Sequence, residues 1–135
     1  MATRREGRRI AIDILYQADI TDTASADVMT SWEDAGRSVP GFARGLVEGV
    51  AEFGPGIDLL LEEHAEDWTV ARMPPVDRTI LRVAVYELLH SPDVPPSVAI
   101  SEAVEAASDL SADESKRFVN GVLGRIARES KEEQK

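Results

Sequence analysis

Four arginines crowd the first nine residues, Arg4, Arg5, Arg8 and Arg9, with Glu6 as the one acid among them. A guanidinium fork can hold a phosphate through two parallel hydrogen bonds, and a nearby aromatic ring offers a face to a base. On a helix, Arg4 and Arg8 share one edge, and Arg5, Arg9 and Tyr16 share the adjacent one. The helix N-terminus adds partial positive charge at the same place. These residue types at this spacing point to phosphate and base contacts with a nucleic acid. The plainer alternative is a solubilising charged terminus with Tyr16 in the core. If all four arginines met phosphates, log K against log salt would fall with a slope of about −3 for a single strand.

The body behind this arm is acidic, since the whole chain carries a net charge of -10. Such a body repels RNA elsewhere and attracts a basic protein. A second basic edge lies near the C-terminus, where Arg117, Arg125 and Arg128, flanked by Lys116, sit away from Phe118, Val122 and Ile126. Cations are favoured near a helix C-terminus in any case.

Other chemistry is thinly represented. There is no cysteine, so disulfides and thiolate metal sites are excluded and a reducing cytoplasm is the natural compartment. No secretory leader and no apolar run long enough for a membrane span is visible. His64 and His90 fall on different helices and do not make a metal site, and His64, on an apolar stripe, reads as a core-edge residue. Glu62, Glu63, Glu66 and Asp67 read as a solvated helix face. Phosphate-loop, dinucleotide, serine-hydrolase and zinc-protease motifs are missing. The expectation is a protein that is not an enzyme and uses no metal or cofactor.

The 135 residues, 43% hydrophobic and 30% charged, suit one domain over 1–135 with a basic arm at 1–9 and a polar tail at 130–135. Apolar spacing is helical throughout, so the fold class is all-α: a compact bundle of about seven helices in two halves. The first spans about Arg5 to Ala18, with Ile10, Ile14 and Ala18 four apart. A short second covers Ala24 to Ala35. Pro40 opens the third as a first-turn proline, and Gly41, Gly45 and Gly49 form a stripe that suggests a closely packed neighbour. Gly54-Pro55-Gly56 breaks the chain, and a fourth helix runs from Ile57 to Trp68. The fifth, Val76 to His90, is the most apolar and therefore central. A sixth starts near Ser97. Ser111 to Glu114 reads as a capping box opening the seventh, where Asn120 suits a structural tie to backbone.

Four blocks carry a family resemblance. Arg4 to Tyr16 (RREGRRIAIDILY), Val76 to Leu88 (VDRTILRVAVYEL), Val94 to Ala103 (VPPSVAISEA) and Ser115 to Leu123 (SKRFVNGVL) resemble, in order and spacing, blocks of the NusB family. The resemblance implies an all-α fold of two helical subdomains that binds boxA RNA of nascent ribosomal transcripts. The implied partner is NusE, a small-subunit ribosomal protein, with other Nus factors and RNA polymerase engaged indirectly. It implies RNA contacts at Arg4, Arg5, Arg8, Arg9, Tyr16, Lys116, Arg117 and Phe118, and partner contacts at Asp77, Arg82, Tyr86 and Glu87. For Asp77 and Tyr86 a helix cap and a core ring are equal alternatives. Glu6, Pro96 and Ser101 depart from the family pattern and point to weaker RNA binding. Relatives include dimers, so a homodimer that masks the arm is a further expectation. The competing class is a helical protein–protein adaptor with no RNA role.

Overall fold

The computed structural model describes residues 2–66 and 68–133, the side chains of 131–133 excepted. Asp67 of the acidic face and Gln134 and Lys135 of the tail lie outside the described residues. Among these residues there are six α-helices: α1 (Arg4–Thr21), α2 (Ser25–Asp34), α3 (Gly41–His64), α4 (Pro75–His90), α5 (Pro96–Leu110) and α6 (Asp113–Glu133), with a 3-10 turn at Val70–Arg72 before α4. The first three form one half and the last three the other, and one continuous hydrophobic core links all six.

Helix α1 starts where Thr3 Oγ1 accepts the Glu6 N–H at 3.1 Å. It stops where Asp22 turns left-handed (φ 51°) and donates its N–H back to Ala18 and Asp19, a short acid tolerating that region well. Its buried line is Gly7, Ala11, Ile14 and Ala18. Ile10, expected in the stripe, lies at its margin, as does Leu15. The small residues bring α1 close to α3: a Cβ on Gly7 would come within 2.9 Å of the Phe42 ring.

Expected helices three and four are one helix, which brings the count to six. Pro55 sits inside α3. An interior proline costs about 3 kcal/mol and each glycine about 1. Against that, Leu46, Val47, Val50, Ile57 and Leu61 are all buried on one unbroken stripe. Burying Ile57 and Leu61 contributes about 1.5–3 kcal/mol each, so tertiary packing overrides the local breakers. The division between halves falls instead at 65–74. Pro40 caps α3 from outside rather than opening its first turn, and Trp68 lies beyond the helix, exposed. Of the glycine stripe only Gly49 meets a neighbour, the Tyr86 ring, while Gly41 and Gly45 face open space.

Helix α4 is central as expected, packing on α1, α3, α5 and α6. The capping box at Ser111 does not form. The Ser111 hydroxyl donates to Asp77 instead (2.5 Å), and α6 begins at Asp113. Residues 130–133, expected as a frayed tail, continue α6.

Candidate nucleic-acid interface

The arginine-rich arm is the first turn and a half of α1. Three of its guanidinium groups stay at the surface. Arg4 reaches Asp93 in the α4–α5 connection at 2.7 Å. Arg5 holds Glu102 at 3.1 and 3.2 Å and Glu105 at 2.5 Å. Arg9 holds Asp109 at 2.9 Å. Hydrogen bonding and attraction from Glu102, then Glu105, push the Arg5 guanidinium still further up. The Arg4 contact leads the effects that lower the Asp93 carboxyl below its ordinary value.

Arg8 behaves differently, which corrects the expectation that it faces RNA. It is buried, and both arms of its fork are taken by Glu87 on α4, at 2.7 and 2.9 Å. The Phe42 ring lies 5.3 Å from its guanidinium carbon, close enough for a cation–π contact. The hydrogen bonding of Arg8 to Glu87 outweighs the desolvation of Arg8 and raises its pKa.

The matched residues of α4 are likewise turned inward. Glu87 is 1% exposed and Asp77 3%, which corrects the expectation that either faces a partner protein. Asp77 lies in the first turn of α4, where the helix dipole suits an anion. It accepts the hydroxyls of Ser111 and Ser115, tying α4 to the start of α6. Arg82, part-buried, is held bidentately by Asp58 of α3 at 2.9 and 3.0 Å. Tyr86 is half-buried against Gly49 and beside Phe53 and His90. Each carries a link between helices.

On α6, Lys116 and Arg117 are exposed. Lys116 opens onto a groove between α5 and α6 that also contains Ile100, Val104, Asn120 and Glu105, the carboxylate that Arg5 holds. The structure therefore joins Lys116 to the arm across α5. Asn120 is exposed there rather than buried at a packing point. Phe118 opens onto a second groove with Trp68, Pro74 and Glu114, its ring edge-on to Trp68 at 6.2 Å. Tyr16 is half-buried on α1. Arg125 leaves the expected basic edge to cap α3, donating twice to the His64 carbonyl at 2.7 and 2.9 Å. Arg128 remains exposed.

His64 sits at the core edge. Its Nδ1 faces the Leu60 carbonyl at 2.8 Å and its Nε2 faces the Glu129 carboxylate. Burial lowers its pKa, but the Leu60 carbonyl, Glu129 and Glu63 together outweigh burial and hold it above the ordinary 6.5. Both partners are acceptors, so the protonated ring satisfies them best.

Reading the sequence missed the carboxylates opposite the arm. Glu102, Glu105 and Asp109 recur three and four apart on one edge of α5, the spacing that puts side chains on a common helix face.

Two three-helix halves with an arginine-bearing first helix across an acidic edge define an all-α domain with a row of ion pairs between α1 and α5. The model of the NusB family matches residues 5–128, and this chain belongs to that family. The transcription antitermination protein NusB of Salinispora arenicola is 47% identical over 131 residues, covering 94% of this chain and 96% of that protein. A T. maritima NusB structure superposes with a TM-score of 0.86 at 34% identity, covering 95% of this chain and 92% of that one. The fold also matches a chain in the crystal structure of antitermination factors NusB and NusE in complex with dsRNA, with a TM-score of 0.82 at 24% identity, covering 93% and 96%. Among the described residues no group of three metal-ligating side chains converges, and no helix is long and apolar enough to cross a membrane.

Proposed function

We propose that this antitermination factor works in the cytoplasm, without catalysing a reaction, by holding boxA RNA of nascent ribosomal transcripts jointly with NusE. Through that pair it engages other Nus factors and RNA polymerase. The observation that carries the reading is the set Arg4, Arg5 and Arg9. All three stand on the solvent side of one helix end, their forks paired with carboxylates of α5 and the α4–α5 connection, Arg4 also lying over the Phe42 ring. Exposed pairs of that kind are worth little and give way to a better anion. Tyr16 supplies a ring on the same helix, Lys116 and Arg117 add phosphate contacts from α6, and Phe118 adds a stacking face. Arg82 and Tyr86 remain the members of α4 able to meet NusE, while Asp77 and Glu87 act from within by fixing α4.

The test is binding of a boxA RNA by the purified chain across a salt series, with and without NusE. Arg4, Arg5, Arg9, Lys116 and Arg117 each meeting a phosphate predict a slope of about −3.5 or shallower. NusE should tighten binding by about 1–3 kcal/mol, an ordinary size for coupled ligands. Affinity indifferent to salt rejects the assignment. A second reading, a protein–protein adaptor without RNA, is favoured by the fact that every arm arginine already has a carboxylate. It predicts that Arg4→Gln, Arg5→Gln and Arg9→Gln together leave RNA affinity unchanged and NusE binding intact.

A further inference from the structure

The exposed arm arginines are not idle while waiting for a ligand. Asp93, Glu102, Glu105 and Asp109 fill their forks, and three of these acids form one row along α5. We propose that this carboxylate row is a built-in competitor that makes the arm selective for a strand of several linked phosphates over isolated anions. The inference rests on the RNA-binding reading above and adds the residues that set its selectivity.

A lone phosphate arriving at Arg5 must displace Glu102, which engages two guanidinium nitrogens, and Glu105 as well. It gains contacts to one guanidinium and loses three hydrogen bonds already made there. A strand meets Arg4, Arg5 and Arg9 together. Once its first phosphate is held, each further exchange is intramolecular and runs at a high effective concentration. Geometry divides the labour between the two acids on Arg5. Glu102 is the more enclosed, with 18% of its side chain exposed, against 47% for Glu105. Glu102 therefore defines the resting position of the guanidinium, and Glu105 is the group that swings away. Glu105 also lines the groove that Lys116 opens onto, so its departure leaves Arg5 and Lys116 facing a path with one less negative charge. Each freed carboxylate recruits a cation, which offsets counterions released from the RNA. The wild-type salt slope is therefore shallower than its count of phosphate contacts implies.

The experiment uses the full chain with a fluorescent boxA RNA between about 50 and 200 mM salt, and inorganic phosphate as competitor. Glu102→Gln with Glu105→Gln should bind the RNA roughly three- to tenfold more tightly at the low-salt end and show a steeper slope. Inorganic phosphate, titrated without RNA and followed by calorimetry, should occupy the arm of this variant at concentrations that leave the wild type unoccupied. Glu6→Gln is the control, because it removes one charge from the same end of α1 without breaking an arginine pair. Its gain should be smaller than that of Glu105→Gln alone. Asp109→Asn, which frees Arg9, serves as a second variant, and circular dichroism checks that each is folded. Equal gains from Glu6→Gln and Glu105→Gln, or no gain from the double variant while the wild type binds, overturns the competitor. If neither wild type nor variants bind RNA even with NusE present, the RNA-binding reading itself fails and the proposal falls with it.

Discussion

Arg5 and Arg8 are three residues apart on the same helix, have the same side chain, and hold carboxylates through the same fork. One is half exposed and pairs across the surface to α5. The other is closed off beneath Phe42 and pairs with a glutamate that is itself 1% exposed. Arg5 is thereby available to a ligand, whereas Arg8 is a strut. What separates them is the desolvation of the partner, because a buried charge stripped of its counterpart has no water to fall back on.

Breaking the buried pair should have the largest effect. Glu87→Ala is expected to cost about 3–5 kcal/mol, since it leaves Arg8 charged and unpaired in the interior. Denaturant unfolding measures this. Arg8→Met combined with Glu87→Leu should recover most of the loss, and a double variant as unstable as the single one would show that the cost came from shape and not charge. The same contrast between closed and open surroundings applies to two glycines of α3. A Cβ on Gly49 would sit 2.2 Å from the Tyr86 ring, whereas Gly45 faces open space. Gly49→Ala should therefore lose about 1–3 kcal/mol by overpacking, and Gly45→Ala should gain up to about 1 kcal/mol in helix propensity, both read from unfolding midpoints.

On the exposed side the readout changes from stability to binding. Arg5→Ala should leave the unfolding midpoint unmoved yet weaken boxA RNA binding and flatten the slope of log K by less than the ~0.7 of one phosphate, because Glu102 and Glu105 are then free before the RNA arrives. A slope that stays put would take Arg5 out of the interface. The smallest effect is expected at His64. Its pKa is held above 6.5 in the folded chain, so its contribution is present in full below about pH 6.5 and is lost as pH rises through the folded value. The stability difference between wild type and His64→Gln should shrink as pH rises from about 6.5 upward. A difference that grows over that range would mean that the neutral ring is the stabilising form.

The elements were largely legible from apolar spacing. The central position of α4 could be read from its width, with Ile80, Leu81, Val83, Ala84 and Val85 leaving almost no polar face. The continuity of α3 was legible too, yet masked: Ile57 and Leu61 keep the phase of Val50, but Gly54-Pro55-Gly56 is so strong a local breaker that it dominates a short window. Ser111 misled for a related reason. Its spacing to Glu114 is right for a cap, but the buried carboxylate of Asp77, distant in sequence, draws its hydroxyl as a donor and turns the side chain away from the helix start. The site divides in the same way. That the arm carries cations follows from composition. Arg8 stands three and four residues before the buried Ala11 and Ile12, a phase that places it toward the core, but the counterion that lets it stay there is Glu87, 79 residues away. The α5 acids were spaced for a common face, but only the assembled fold reveals what they oppose.

That separation also sets an order of events on the ribosome. Arg8 is made early, its counterion Glu87 well past the midpoint of these 135 residues, and Arg125, which closes the end of α3, later still. Until α4 emerges, the first three helices carry a cation they have nowhere to hide, and until α6 arrives a carbonyl at their rim stays open to water. A nascent chain of this protein therefore has no early stopping point at which its first half is sealed.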